Sequence, residues 1–560
     1  MTVGNLKPER SNQHRLGLIH WLLLLSPVLV CAAIMLPRLL SPQFGLLDDG
    51  STLFNAYQVQ HHVWNPGGEA VKGRFRPAYW LYYAVIYLIF NTNSFAFFFG
   101  HLIIFAATTA GLIVFIRLIS SSSLQAWIAG MLYAAAGPCI ENYYTLSKGE
   151  PLQMLAIVLS LLLLLITVRV KLGWQKGLAF SGMIVALFLA NISKETSLMM
   201  IPISLGWLVM ALLYRKFHIK QSDLLPRGLY FGATAAAGVI YFILRSRYVH
   251  VSLLGGTYTS RYNFTLRGVL SSGLNWSGWI LRDFSYLIPL LIFLAVSVLI
   301  YRRHAELADL IDISIWLVGW IGVFLSWYFI VEYYLLGFAM GCAVMGGLLV
   351  EATYREITSP SKAGRNFARV CLALCVFLFV TTIPNNISNA QLQLTEDWAN
   401  TEMVKFLAKE TPENGTVLVN LPESNQYIKE LNYQLIYLEG RQDIQVDAFT
   451  TKRMDTVQAG KVGGLIVSPD IKNQPPLSVR LGLYEDGAKT WNKKLQEALP
   501  TGVEPELVIK REYRQFNIDF ITLLCPIVHM SSYCSKSAQV LDRRVLTYWW
   551  YIFPMQAKSP

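Results

Sequence analysis

Eleven long apolar runs limit what this chain of 560 residues can fold into. A helix of about 20 apolar residues crosses a hydrocarbon core about 30 Å thick and makes its backbone hydrogen bonds internally. Hydrophobic residues are 54% of the chain and charged residues only 15%, which excludes an ordinary water-soluble protein. We therefore predict a polytopic α-helical membrane protein with about 11 transmembrane helices. The predicted spans are 16–36, 95–116, 125–141, 151–168, 177–192, 196–213, 228–244, 284–301, 310–330, 333–350 and 370–384.

The loops predict an orientation, because Lys and Arg are enriched on the cytoplasmic side of membrane proteins. Basic residues cluster in the N-terminal tail and near Arg169, Lys216, Arg302 and Arg365, all on one side of the predicted spans. The N-terminus is then cytoplasmic. An odd number of spans places the first loop, residues 37–94, and everything after residue 384 outside.

Two segments outside the spans have a predicted structure of their own. The run AYWLYYAVIYLIF at 78–90 is too short to cross and rich in aromatic residues, so we predict a helix at the outer interface. Residues 385–560 are predicted to form an exported α/β domain. There the β-rich runs TVLVNL, YQLIYL and GGLIVS alternate with helix-like stretches such as WANTEMVKFLAKE.

The seven cysteines divide between the two predicted parts. Five lie in or beside spans and are predicted to be small packing residues, namely Cys31, Cys139, Cys342, Cys371 and Cys375. Cys525 and Cys534 share the exported tail, and whether they form a disulfide stays open.

Asp48 and Asp49 are the first candidate catalytic residues, because a short loop holds them close to the predicted outer surface. A carboxylate there can act as general base for a hydroxyl acceptor or as a ligand for a divalent cation. The structural alternative is that one of them caps the helix predicted over LFNAYQVQHHVW.

Basic residues near the outer ends of spans run against the usual charge bias. The candidates are Lys72, Arg74, Arg76, Lys148, Lys194 and Arg261. Any single one could simply meet lipid headgroups. Lys194 lies beside Glu195 in ANISKETS, between two apolar runs with almost no loop. Ionisable groups so close to the bilayer are costly and commonly functional, and a lipid-linked phosphate is the anion we expect them to meet.

Acidic residues also lie where apolar runs meet the predicted outside. Glu150 follows the turn that contains Lys148, and favourable charge at the start of a helix is its structural alternative. Glu332 precedes Tyr333 in VEYYLLGF. Three roles stay open for Glu332: binding a sugar hydroxyl, pairing with an arginine, or facing solvent.

The order of DD, a helix-like segment and WNPGGEAVKGRFRPAYWLYY resembles the first loop of bacterial GT-C glycosyltransferases. Arabinofuranosyltransferases of actinobacterial cell walls carry a similar Asp-Asp pair, Asn-Pro-Gly turn and Pro-led helix, and protein O-mannosyltransferases and aminoarabinose transferases share the architecture. The SKET turn and EYYLLGFAMGCAVMGGLLV also resemble that superfamily, over residues 16–384 in all. The chain departs from it at Lys72-Gly73-Arg74, where relatives have a Glu-Gly-Tyr run, and at Asp49, where many have Glu.

The resemblance implies a GT-C enzyme of the bacterial inner (cytoplasmic) membrane. Its donor would be a polyprenyl-phosphate-linked sugar, and its acceptor a hydroxyl of a cell-envelope glycan, lipid or protein. Asp48, aided by Asp49, would be the base of an inverting transfer. Lys194, Arg74, Arg76 and Lys72 would bind the donor phosphate, and the predicted substrate contacts are Glu150, Lys148, Glu195, Glu332, Tyr333 and Arg261.

The sequence predicts no organic cofactor and no nucleic-acid partner, because no P-loop, dinucleotide fingerprint or zinc spacing is present. A divalent cation at Asp48 and Asp49 remains an alternative to general-base chemistry. A lipid or polysaccharide transporter or flippase is the alternative function. Its charges should lie near the bilayer midplane and its halves should be related, whereas here the charges lie at span ends.

Overall fold

Helices make up most of the computed structural model, which describes residues 21–45, 48–69, 73–217, 224–250, 262–301, 304–327, 331–358, 361–421, 426–450, 464–469, 493, 497, 506–515 and 544–554. The helices are α1 Pro27–Leu40, α2 Asp49–Gln60, α3 Pro77–Phe90, α4 Ser94–Ser120, α5 Ser123–Ala134, α6 Gly137–Tyr144, α7 Glu150–Arg169, α8 Gly173–Ser193, α9 Met200–Lys216, α10 Leu224–Tyr248, α11 Leu266–Phe284, α12 Leu287–Tyr301, α13 His304–Gly322, α14 Leu336–Ile357, α15 Lys362–Glu410 and α16 Gln426–Glu439. Two 3₁₀ turns, Glu195–Met199 and Glu332–Leu335, lead into α9 and α14.

Seven helices among the described residues are long and apolar enough to cross a membrane. They are α4, α7, α8, α9 and α14 with their 3₁₀ turns, α10 and α15. The pair α11 and α12 is bent by 91° and makes an eighth if it counts as one span. The polytopic helical fold is therefore confirmed.

Several predicted spans differ in detail from the helices. The span predicted at 125–141 is two helices, α5 and α6, separated by Ala135 and Ala136. Pro138 explains the break, because proline lacks the backbone donor that a continuing helix needs and fits the first turn of a new one. The span predicted at 310–330 ends earlier, at Gly322, and only part of the first predicted span lies within the described residues.

Helix α15 is 49 residues long and passes without a break through the domain boundary predicted at residue 384. Its first half is apolar. Its second half buries polar side chains such as Asn386, Gln393 and Asp397. One continuous helix thus leads from the membrane region into the C-terminal α/β domain, whose separation from residues 1–384 remains a prediction.

The C-terminal domain contains a five-stranded sheet with the order β2-β1-β3-β5-β4. The strands are β1 Thr416–Val419, β2 Gln445–Ala448, β3 Gly464–Pro469, β4 Glu506–Gln515 and β5 Arg544–Pro554. Strands β2, β1 and β3 are parallel, while β5 is antiparallel to both β3 and β4. The α/β character predicted for this part of the chain is confirmed.

The run YQLIYL, predicted as a strand, lies in α16 instead. Three buried side chains of α16, Tyr427, Leu431 and Leu435, recur every four residues, and this spacing puts them on one face of the helix. The run YQLIYL is too short to show that spacing in the sequence.

Helix α16 packs against α2 and so joins the C-terminal domain to the first loop. Phe54 and Tyr433 stack with ring centroids 4.4 Å apart. Gly50 lies so close that a Cβ there would be 2.5 Å from the carbonyl oxygen of Glu430. The loop also contains α3, the helix predicted at 78–90.

The structure describes five of the seven cysteines. The five cysteines predicted to be packing residues are all buried. Cys525 and Cys534 lie outside the described residues.

Candidate active site

The two adjacent aspartates of the first loop lie in different environments. Asp48 is partly exposed and has the left-handed backbone angles φ 67° and ψ −19°. It occupies the N-cap position of α2, but its side chain makes no capping hydrogen bond. Its Oδ1 instead accepts a hydrogen bond from the side-chain amide of Gln426. A non-glycine residue in this conformation is uncommon, and such strain often marks a functional site.

Asp49 is 2% exposed and is held by two donors. The Gly45 N–H lies 2.5 Å from Oδ2, and the Ser147 hydroxyl lies 2.8 Å from Oδ1. Burial and the nearby charge of Asp397 raise the pKa of Asp49 to about 7, although the two hydrogen bonds and Arg38 oppose that rise. The buried carboxyl therefore holds a proton more readily than an ordinary aspartate does.

Lys148, Glu150, Lys194 and Tyr333, four of the candidate site residues, lie close together in the structure. Lys194 Nζ lies 2.6 Å from Glu150 Oε1, and both side chains are buried. Lys148 Nζ lies 3.6 Å from the centroid of the Tyr333 ring, and Lys194 Nζ lies 6.0 Å from it. Two ammonium groups thus lie near one aromatic ring, and one of the two is paired with a carboxylate. We call these four residues the lysine cluster.

The turn between α6 and α7 connects the aspartates to the lysine cluster. Ser147, at φ 61°, contacts both Asp49 and the Thr52 hydroxyl, which is 2.6 Å away. Lys148 is the next residue, and Glu150 begins α7. Because only Lys148 and Gly149 lie between Ser147 and Glu150, the acidic and basic groups belong to one site.

The basic segment after the Asn-Pro-Gly-Gly turn is anchored to the same region. Arg76 makes two bonds to Glu69, of 2.9 and 2.5 Å, and its guanidinium lies 4.9 Å from the Tyr79 ring centroid. The Phe75 N–H donates to Glu195 at 3.3 Å. Lys194 interacts electrostatically with both Arg74 and Arg76. Lys72 and Arg261, also predicted to be site residues, lie outside the described residues.

The Glu332 carboxylate is paired with an arginine. Its Oε1 lies 2.7 Å from Arg282, which also pairs with Asp283 at 2.7 Å. Asn389 donates to its other oxygen at 3.2 Å. Of the three roles left open by the sequence, the structure contains the arginine pair, and a contact of Glu332 with substrate stays a prediction.

Sequence reasoning missed several residues that contact the aspartates. Arg38 and Asp397 form a buried ion pair behind Asp49. Glu430 accepts a bond of 2.7 Å from the Ser51 N–H and another from the Ser51 hydroxyl. Burial and the charge of Asp48 raise the pKa of Glu430 to about 7. Only Arg38 carried a sequence signal, as a charge at the end of an apolar run.

A divalent cation at Asp48 and Asp49 stays an alternative to general-base chemistry. Across the parts of the chain that the structure describes, no three His, Cys, Asp or Glu side chains are grouped as ligands for a metal ion.

Comparison with solved structures finds proteins that share the fold of this chain. It aligns with ArnT from Cupriavidus metallidurans bound to undecaprenyl phosphate at a TM-score of 0.53 and 11% identity, covering 97% of this chain and 100% of that one. The Archaeoglobus fulgidus oligosaccharyltransferase in its apo form gives 0.52 and 12%, covering 85% and 72%. AglB from the same organism, in complex with an inhibitory peptide and a dolichol-phosphate, gives the same values. Because the identity is low, these matches establish the fold alone, and that fold is of the GT-C type.

No protein-family model matches the chain. No curated protein matches it either.

Proposed function

We propose that this protein is a glycosyltransferase that moves a sugar from a polyprenyl-phosphate donor to a hydroxyl of a cell-envelope glycan, lipid or protein. We place the reaction on the outer face of a bacterial inner membrane, with a cytoplasmic N-terminus. Two features support this. The fold matches ArnT bound to undecaprenyl phosphate and AglB with dolichol-phosphate. Asp49 of the first loop is hydrogen bonded to Ser147, the residue before Lys148 of the lysine cluster, which puts the aspartates and the cluster in one region.

The observation that carries the proposal is the contrast between Asp48 and Asp49. Asp49 is enclosed, with both oxygens bonded to the protein. Asp48 is partly exposed and free of a capping role, so an acceptor hydroxyl can reach it. Environments that separate two neighbouring carboxyls commonly assign them different roles. We assign Asp48 as the general base and Asp49 as the residue that fixes the loop.

The proposed reaction is a single displacement. The acceptor oxygen forms a bond to the anomeric carbon while the bond from that carbon to the phosphate oxygen breaks. The hydroxyl proton passes to Asp48, and polyprenyl phosphate leaves. Attack from the face opposite the phosphate inverts the anomeric configuration. A positioned general base typically contributes about 10²- to 10⁴-fold to the rate.

The lysine cluster is the proposed site for the donor phosphate. The leaving phosphate gains negative charge as its bond to the sugar breaks, and cations fixed before the reaction stabilise that charge without reorganising. Lys194 is held by Glu150, whereas Lys148 rests on the face of Tyr333. Arg76 is already paired with Glu69, so we assign it and Arg74 a supporting role.

A reconstituted assay tests this proposal. Wild type, Asp48→Asn and Asp49→Asn are compared in liposomes with synthetic polyprenyl-phosphate sugars and a panel of acceptors. We expect turnover by Asp48→Asn to fall by about 10²- to 10⁴-fold. Asp443→Asn is the matched control, because this exposed aspartate pairs, among the described residues, with Arg441 and the nearby backbone of its own domain. Exposed pairs of this kind contribute little to stability.

Two further results would change the proposal. Wild-type turnover by both Asp48→Asn and Asp49→Asn would refute the assignment of the base. Activity that disappears with a chelator and returns with Mg²⁺ or Mn²⁺ would favour a cation ligand at Asp48 over a base.

A further inference from the structure

The C-terminal domain contacts the proposed catalytic loop at several points, through the helices α15 and α16. On α15, Asp397 pairs with Arg38, and Asn400 lies 3.4 Å from the Gly45 carbonyl oxygen. On α16, the Gln434 amide donates to the same carbonyl at 2.7 Å. Two of these contacts hold Gly45, whose N–H donates to Asp49.

Gln426 and Glu430 lie one turn apart on α16 and both face the loop. The Gln426 amide donates to Asp48 Oδ1 and is also hydrogen bonded to Glu430. Glu430 in turn holds the first turn of α2 through both the N–H and the hydroxyl of Ser51. A glutamine from the C-terminal domain therefore bridges the proposed base and a buried acid.

The bridge has a chemical consequence for Asp48. An ionised carboxylate has about four lone-pair sites on two oxygens, so Oδ2 can receive the acceptor hydroxyl while Oδ1 stays bonded to Gln426. A donor on Oδ1 fixes the rotation of the carboxylate, because hydrogen bonds are directional. The same amide also contacts Glu430, one helical turn from Gln426, and so lies between the two acids.

We infer that Gln426 is a positioning residue for the proposed general base, so that α16 of the C-terminal domain forms part of the active site. This inference rests on the proposed function, because it assigns Asp48 the base role. It goes further in giving the C-terminal domain a direct part in the chemistry through Gln426.

The experiment compares the full chain with Gln426→Ala and Gln426→Glu, each reconstituted as above. We expect Gln426→Ala to lower kcat about tenfold while KM for the donor changes less than about twofold, because the lost contact orients the base rather than the donor. The acidic limb of the pH profile should move upward by about 1 to 2 pH units, the size of one lost hydrogen bond to a charged group. Gln426→Glu should move it further, because a second carboxylate then faces Asp48.

Lys429→Ala is the matched control. Lys429 is exposed on the same helix, and its ammonium lies 5.3 Å from the Tyr433 ring centroid. It should keep the wild-type kcat and pH profile. An equal loss in Lys429→Ala, or an unchanged pH profile in Gln426→Ala, would overturn the inference.

A second measurement does not depend on turnover. Carbodiimide labelling of Asp48, followed by mass spectrometry across pH, reports the protonated carboxyl directly. The labelling midpoint should rise in Gln426→Ala and not in Lys429→Ala. A wild-type protein that transfers no sugar from any donor would refute the proposed function, while the labelling profile would still decide whether Gln426 controls Asp48.

Discussion

At the scale of single residues, adjacent aspartates acquire different chemistry from their surroundings alone. The sequence alone does not distinguish the two carboxyl groups. Asp49 gains a buried site beside Asp397, while Asp48 stays partly exposed with a hydrogen bond from Gln426. Such a difference depends on desolvation and neighbouring charge, which local sequence does not specify.

The raised pKa of Asp49 predicts a pH dependence of stability. Folding moves its pKa from about 4 to about 7, so the folded state binds more protons than the unfolded state in that window. The stabilising contribution of protonated Asp49 is complete below about pH 4 and is lost as the pH rises through 7. Glu430 follows the same sign, because its pKa is also raised to about 7.

We therefore expect the apparent melting temperature in detergent to fall between pH 5 and pH 8. Asp49→Asn should reduce that fall by on the order of 2 °C, and Asp49→Asn with Glu430→Gln should reduce it further. Asp443→Asn should keep it, because the pKa of Asp443 is lowered and it does not titrate in this window. An undiminished fall in the double variant would contradict the assignment.

At the scale of elements, the contact between α2 and α16 decides where the proposed base lies. Gly50 allows the first turn of α2 to approach the backbone of Glu430. Neither helix could be matched to the other by sequence, because 379 residues separate Ser51 from Glu430.

Gly50→Ala tests this contact. The new Cβ would lie 2.5 Å from the Glu430 carbonyl oxygen, which cannot move aside as a flexible side chain could. We expect a loss of about 1 to 3 kcal/mol in stability and a loss of turnover. Gly177→Ala is the control, because nothing lies within 4 Å of a Cβ at that helical position.

The measurements are the melting temperature and the rate of sugar transfer. Gly177→Ala should be neutral or stabilising, because alanine favours a helix over glycine by about 0.5 to 1 kcal/mol. Equal behaviour of the two variants would show that α2 and α16 do not need this close approach.

At the scale of the whole molecule, the continuous helix α15 connects the membrane region to the C-terminal domain. The side of the membrane on which the C-terminus lies therefore tests the proposed topology. The proposed orientation places the C-terminal domain outside the cytoplasm, because basic residues cluster in the loops of the opposite side. A reporter that is active only outside the cytoplasm should be active when fused to the C-terminus. A reporter fused near Arg169 should be inactive. Activity at Arg169 with inactivity at the C-terminus would reverse the proposed orientation.

The sequence by itself determined the helical membrane fold, the α/β nature of the C-terminal domain and the region that contains the acidic pair. Hydropathy and strand patterns are local properties, so a single chain reveals them. It also placed Lys148, Glu150, Lys194 and Tyr333 near span ends, where the structure brings them together.

Only the tertiary structure decided what surrounds those residues. It directed Glu332 to Arg282, made a helix of YQLIYL and brought Gln426 to Asp48 across 378 positions of the chain. The physical reason is that burial, close approach and the pairing of charges depend on elements distant in sequence. The local pattern located the loop, and the packing of α15 and α16 against it gave each aspartate its environment.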